Sequence, residues 1–173
     1  MNRTTVGGPE LGGGRGAGGV LVLVDPAGAA DPAGAAGGAG GGSPVAGLLV
    51  QELRPSVHLR TDDFLRVIRN GQVPPQLPGA DRQQATALAA AAQAAFAYAT
   101  GGYQVVVECA DAPAALDTFR RESRTTGAAL HYVVLTGAAP ATPHELDTTD
   151  LTPETTAKSV LAVLTARTHL LGW

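Results

Sequence analysis

The chain is 173 residues long, 45% hydrophobic and only 4% aromatic, with a net charge of -3; that length suits one domain, with a core built from Val, Leu, Ile and Ala. The slight acidity excludes a global pull toward nucleic acid or an anionic membrane, and no apolar run approaches the roughly 18 residues of a membrane span. The single cysteine, Cys109, excludes an internal disulfide framework, and its setting beside Val105, Val106 and Val107 predicts a small buried apolar side chain.

Residues 1–19 are rich in glycine and carry no apolar period, which predicts a disordered lead-in to a single domain over 20–173. Arg3 is followed by polar residues and glycine, so no signal peptide is expected and the default location is the cytoplasm. The bias toward Ala, Gly, Pro and Arg resembles a GC-rich bacterial coding sequence. Gly14 to Gly19 match G-x-G-x-x-G, but they precede a strand instead of following one, the wrong place for a dinucleotide fingerprint.

Val20-Leu21-Val22-Leu23-Val24 predicts a buried strand. The loop behind it holds a tandem repeat, Asp25-Pro26-Ala27-Gly28-Ala29-Ala30 and then Asp31-Pro32-Ala33-Gly34-Ala35-Ala36, and ends Gly40-Gly41-Gly42-Ser43. Pro44 fits the first turn of a helix that places Val45, Leu48, Leu49 and Leu53 on one side, with Ser43 as its N-cap. Residues 56–60 predict a second strand. Thr61-Asp62-Asp63 then cap a short helix that ends at Asn70-Gly71, and residues 71–79 form an irregular surface loop. A long alanine-rich helix is expected from about Asp81 to Ala99, stopped by Gly101-Gly102. Tyr103 to Glu108 predict a third strand, Pro113 to about Arg124 a helix, and Ala129 to Leu135 a fourth strand. Glu145 to Thr148 give a short fifth strand. Thr152-Pro153-Glu154 start a last helix that runs to about Leu171. Helices alternate with strands that are unbroken apolar runs, which predicts an open parallel sheet covered on both faces, a three-layer α/β/α sandwich. In such sheets ligands bind beyond the carboxyl ends of the strands.

Several of these segments resemble the small P-loop kinases grouped near chloramphenicol phosphotransferase and the zeta-toxin-like kinases, often labelled AAA-type ATP-binding proteins. The strand and glycine loop of 20–43 are similar to the start of that family. Val57-His58-Leu59-Arg60-Thr61-Asp62-Asp63-Phe64 is similar to its strand that ends in an acid before an aromatic. Gly101 to Glu108 look like its third strand, and 130–135 with 147–155 look like its closing strand and helix start. The resemblance implies four or five parallel strands in the order 2-3-1-4-5, and ATP-dependent phosphotransfer to the hydroxyl of a small-molecule acceptor. It implies ATP bound at Gly40, Gly41, Gly42 and Ser43, with Thr148 beside the base. It implies Mg2+ held by Ser43 and Glu108, and Asp62 orienting or deprotonating the acceptor. No nucleic-acid or membrane partner is implied.

The sequence departs from that pattern twice. Gly42 stands where the family has lysine, and the only lysine of the chain is Lys158. Between Leu135 and Glu145, where the family has a lid carrying arginines, residues 136–144 contain neither arginine nor lysine. The expected function is therefore that of a degenerate kinase with impaired transfer and at most weak nucleotide binding. The alternatives are an active kinase whose cation is an unusual arginine, with Arg60 the first choice, and a non-catalytic interaction domain using the helix at 81–99. Plainer roles compete at each position: Asp62 and Ser43 as caps, Glu108 as a solvated carboxylate, Arg60, Arg66 and Arg69 as a solvated face, and Arg120, Arg121 and Arg124 as partners of a helix C-terminus. His58, His131, His144 and His169 show no metal-ligand spacing.

Overall fold

The computed structural model of the protein describes residue 11 and residues 18–26, 42–110 and 112–172. In chain order these form β1 (Gly19–Val24), α1 (Pro44–Glu52), β2 (Ser56–Arg60), α2 (Thr61–Arg66), α3 (Ala80–Thr100), β3 (Gln104–Cys109), α4 (Ala112–Thr126), β4 (Ala129–Thr136), β5 (Glu145–Asp147), α5 (Pro153–Thr165) and β6 (Leu170–Gly172). Gly40, Gly41, the tandem repeat from residue 27 onward and residues 14–17 lie outside the described residues.

The strands lie in the order β2-β3-β1-β4-β5, and every pairing along that path is parallel. The order and the parallel class are those expected. β1 sits in the middle, paired with β3 on one side and β4 on the other. Its residues are buried on both faces, which is why it reads as an unbroken apolar run instead of an alternating one. Alternation along the strands still divides the core. Val20, Val22, Val105, Val107 and Leu130 pack with Leu88, Phe96 and Phe119 of α3 and α4. Leu21, Leu23, Val106 and Val133 pack with Leu49 of α1 and Val160 and Leu164 of α5. Cys109 is buried as expected, 2% exposed, in the first of these clusters.

Three expectations require correction. The last helix ends at Thr165, and residues 170–172 form a strand antiparallel to β4. Arg167 adopts φ 56, a left-handed backbone that stops the helix although no glycine marks the spot. Of the expected lead-in, the described residues are ordered: Leu11 is buried, its N–H donates to Gln104 Oε1 at 2.7 Å, and Gly19 opens β1. The helix after β2 ends at Arg66, before Asn70-Gly71 is reached.

Candidate functional site

The carboxyl ends of β1, β2 and β3 meet the start of α1. Parallel register sets Arg60 of β2 opposite Glu108 of β3, and Glu108 opposite Leu23 of β1. Leu23 faces the α1 side of the sheet, so Glu108 does too, and His58, two residues before Arg60, shares that face. Ser43 stands at the head of α1. Its side chain accepts from the Ala46 N–H and caps the helix, as expected, with Pro44 in the first turn.

Glu108 is the hub of these groups. Its Oε1 accepts from the Ser43 backbone N–H at 2.9 Å. Its Oε2 lies 3.2 Å from His58 Nε2 and 3.9 Å from Arg60 Nε. Burial alone would raise the Glu108 pKa. The His58 hydrogen bond, the Ser43 N–H and the charges of His58 and Arg60 outweigh burial and hold it below the usual carboxylate value. Glu108 is thus a buried, ionised carboxylate rather than a solvated one. Beside it, the Ser43 hydroxyl donates to a carboxylate oxygen of Asp25, the residue that follows β1, and both are buried.

Gly42 lies against this cluster. A Cβ built there would stand 3.0 Å from Glu108 Oε2 and 3.5 Å from Arg60 Nε. Position 42 therefore points at the carboxylate and the guanidinium. Asp62 lies at the same end of the sheet, in the first turn of α2. The capping expected of Thr61, Asp62 and Asp63 is not what the structure shows. The N-cap is Arg60, without a side-chain cap bond, and Asp62 and Asp63 place negative charge in the first turn. Thr148 follows β5, where its N–H and hydroxyl both bond the Thr136 carbonyl at the end of β4, at 2.8 and 3.0 Å. Residues 137–144, between β4 and β5, make a turn closed by Glu145, which accepts from the Ala141 N–H and the Thr142 hydroxyl. Lys158 is exposed on α5, and Arg66 pairs with Asp63 on the surface.

Two groupings had no signal in spacing along the chain. One is the convergence of Asp25 and His58 on Ser43 and Glu108; the only hint is that Asp25 follows a buried strand. The other is a set of histidines around the outer part of β4. His144 stacks edge-on against Tyr132 and His169, and His131 Nε2 meets the Leu11 carbonyl at 3.1 Å. Among the described residues no group of His, Cys, Asp and Glu has the arrangement of a metal cluster.

Magnesium ion prefers hard oxygen donors and keeps several waters. Asp25 and the Ser43 hydroxyl bring a carboxylate and a hydroxyl to one point, which fits such an ion. The fit to a phosphate is poorer: the Ser43 N–H that would receive a phosphate oxygen is engaged by Glu108.

No family model matches the sequence, and no curated protein matches it. Solved structures do. A mutant APS kinase of Mycobacterium tuberculosis superposes with a TM-score of 0.61 at 20% identity, over 86% of this chain and 97% of that one. The same kinase in complex with AMPPNP and APS gives 0.59 at 15%, over 86% and 98%. A tunicamycin resistance protein of Deinococcus radiodurans gives 0.51 at 13%, over 83% and 94%. The fold is that of the P-loop kinases.

Proposed function

We propose that this chain is a degenerate P-loop kinase, of phosphotransferase ancestry, that binds magnesium-ATP weakly and transfers phosphate at a negligible rate. The observation that carries this reading is the occupation of the Ser43 N–H by the Glu108 carboxylate, beside a glycine at position 42. Phosphoryl transfer depends on positioned N–H groups and cations that hold and neutralise the phosphates. At this site an internal carboxylate holds the N–H, and position 42 supplies no ammonium.

The residues that remain have definite roles in the proposal. Ser43 and Asp25 would hold the magnesium ion. Gly40, Gly41 and Gly42 lend backbone donors to the phosphates, and Thr148 lies on the side of the base. Asp62 orients the hydroxyl of a small-molecule acceptor. Magnesium would supply charge neutralisation between phosphate oxygens. The turn at 137–144 carries no arginine or lysine, so the charge that develops on a transferring phosphoryl group meets no cation from that side. Losing stabilisation of that kind costs several powers of ten in rate. The APS kinases that share the fold support the ancestry.

Titration calorimetry with magnesium-ATP, and a phosphotransfer assay over a panel of small hydroxyl acceptors, test the reading. Weak binding without turnover is expected. Rapid transfer to any acceptor would show an active kinase with an atypical loop. No binding at all would favour a non-catalytic interaction domain.

A further inference from the structure

We propose that Arg60 is the phosphate-binding cation of this site, standing in for the absent lysine, and that Glu108 keeps it out of use until an anion displaces the carboxylate. The proposal rests on the nucleotide-site reading above and adds the residue that would grip the phosphates.

The first observation is space. A Cβ at position 42 would stand 3.5 Å from Arg60 Nε and 3.6 Å from its Cδ. The Arg60 side chain thus runs along the exit that a residue at 42 would use, and delivers its charge to the same neighbourhood from β2. The second observation is an imbalance of partners. Only 18% of the Arg60 side chain is exposed, yet among the described residues its sole partner is Glu108, reached through Nε at 3.9 Å. Its terminal nitrogens make no hydrogen bond among the described residues. A guanidinium carries five donors in a fork that matches carboxylate and phosphate oxygens. Most of these donors have no partner among the described residues, and they remain available to an anion.

Glu108 has the opposite imbalance. It takes the Ser43 N–H with one oxygen and His58 and Arg60 with the other. It is a carboxylate held where a phosphate oxygen would be held. An incoming phosphate that moved it aside would find the Ser43 N–H on one side and the free end of the Arg60 fork on the other. Arg66, Arg120 and Arg124 are badly placed for this task. Arg66 is committed to Asp63 on the surface. Arg120 and Arg124 line a separate cavity with Leu130, near the amino ends of the strands.

The test uses inorganic tripolyphosphate, which has no base or ribose, and magnesium-ATP, each titrated calorimetrically into the full chain. Glu108→Gln keeps the shape of the side chain and removes its charge. It should tighten tripolyphosphate about tenfold, the scale of one charge-assisted hydrogen bond. Adding Arg60→Ala should remove that gain, and Arg60→Lys should keep part of it. Arg60→Ala alone should weaken whatever binding the unmodified protein has, a reading that does not depend on the Glu108 variant folding. Tripolyphosphate that binds Glu108→Gln no more tightly, or that is indifferent to Arg60→Ala, overturns the proposal. If tripolyphosphate responds as expected and ATP binds no better than tripolyphosphate, Arg60 stands and the nucleotide reading fails. If ATP binds the unmodified protein and Arg60→Ala equally, the nucleotide reading stands and Arg60 falls.

Discussion

A methyl group added at Gly18 would collide with the carbonyl of Tyr103 and stand 2.7 Å from that of Ala99, to which the Gly18 N–H already donates. Both obstacles are backbone, held by the end of α3 and the start of β3, so neither can move aside cheaply. Gly42 is different. The nearest atom to a Cβ there is the far end of the Glu108 side chain, at 3.0 Å, which can give by a few tenths of an ångström. Gly18→Ala should therefore lower stability by about 3 kcal/mol, the upper range for forced overpacking, while Gly42→Ala should stay within about 1 kcal/mol. Urea denaturation of both variants checks this, and equal losses would show that Gly42 is held as rigidly as Gly18. The glycine at position 42 is thus tolerant of a side chain, and its lack of one is a chemical property of the site, not a packing requirement of the fold.

At the scale of elements, two helices start with hydroxyl caps that differ in what else they touch. Thr152 Oγ1 accepts from the Thr155 N–H at 3.3 Å and lies exposed at the head of α5. Ser43 caps α1 and also donates to the buried Asp25 carboxylate. Thr152→Ala should cost about 1 kcal/mol, the usual loss of a cap. Ser43→Ala should cost about 2–3 kcal/mol, because a hydrogen bond to a charged group goes with the cap. The edge formed by β4 and β6 carries a pH dependence. Burial lowers the pKa values of His131, His144 and His169, assisted by Arg167 and His169 at His131, by Arg120 at His144, and by His144 at His169. Their Nδ1, Nδ1 and Nε2 atoms respectively are buried without a hydrogen-bond partner among the described residues. Folded pKa values below 6.5 mean that the unfolded chain binds more protons just below that pH. The stability from keeping these rings neutral is fully present above 6.5 and is lost as the pH falls through the folded values. Glu108 adds a separate step, with stability present above 4.5 and lost on further acidification. A Tm that falls as the pH drops from about 7.5 to 5.5, and falls less in His169→Gln, is the expected result; an unchanged Tm across that range would show that the rings charge without cost.

At the scale of the whole molecule, the sheet was legible because its central strands are buried on both faces. Val20 to Val24 and Val105 to Val107 could hardly be anything else, and their alternation with capped helices left little freedom in the layers. β6 was not legible. Leu170 and Leu171 continue the apolar spacing of Val160 and Leu164, and the left-handed Arg167 that ends the helix has no signature in residue type. The site was half legible. Ser43 and Glu108 stand at the ends of recognisable elements, but the meeting of residues 25, 43, 58, 60 and 108 depends on strand order and register, which no local spacing encodes. The same topology separates the two places where the proposed function looks for positive charge, one at the start of α1 and one between β4 and β5. Gly42→Lys restores only the first. Its stem would leave the backbone toward Glu108 and Arg60, so the new ammonium pairs with Glu108 before it meets a phosphate. A full charged hydrogen bond would give ten- to a hundredfold in affinity, at about 1.5–3 kcal/mol. With Glu108 competing and Arg60 already present, Gly42→Lys should tighten magnesium-ATP by no more than about tenfold. Phosphotransfer should stay negligible, because residues 137–144 still bring no cation to the transferring group. Calorimetry and a transfer assay on the two proteins decide between these terms. Rapid turnover in Gly42→Lys alone would mean that the turn between β4 and β5 withholds nothing that catalysis requires.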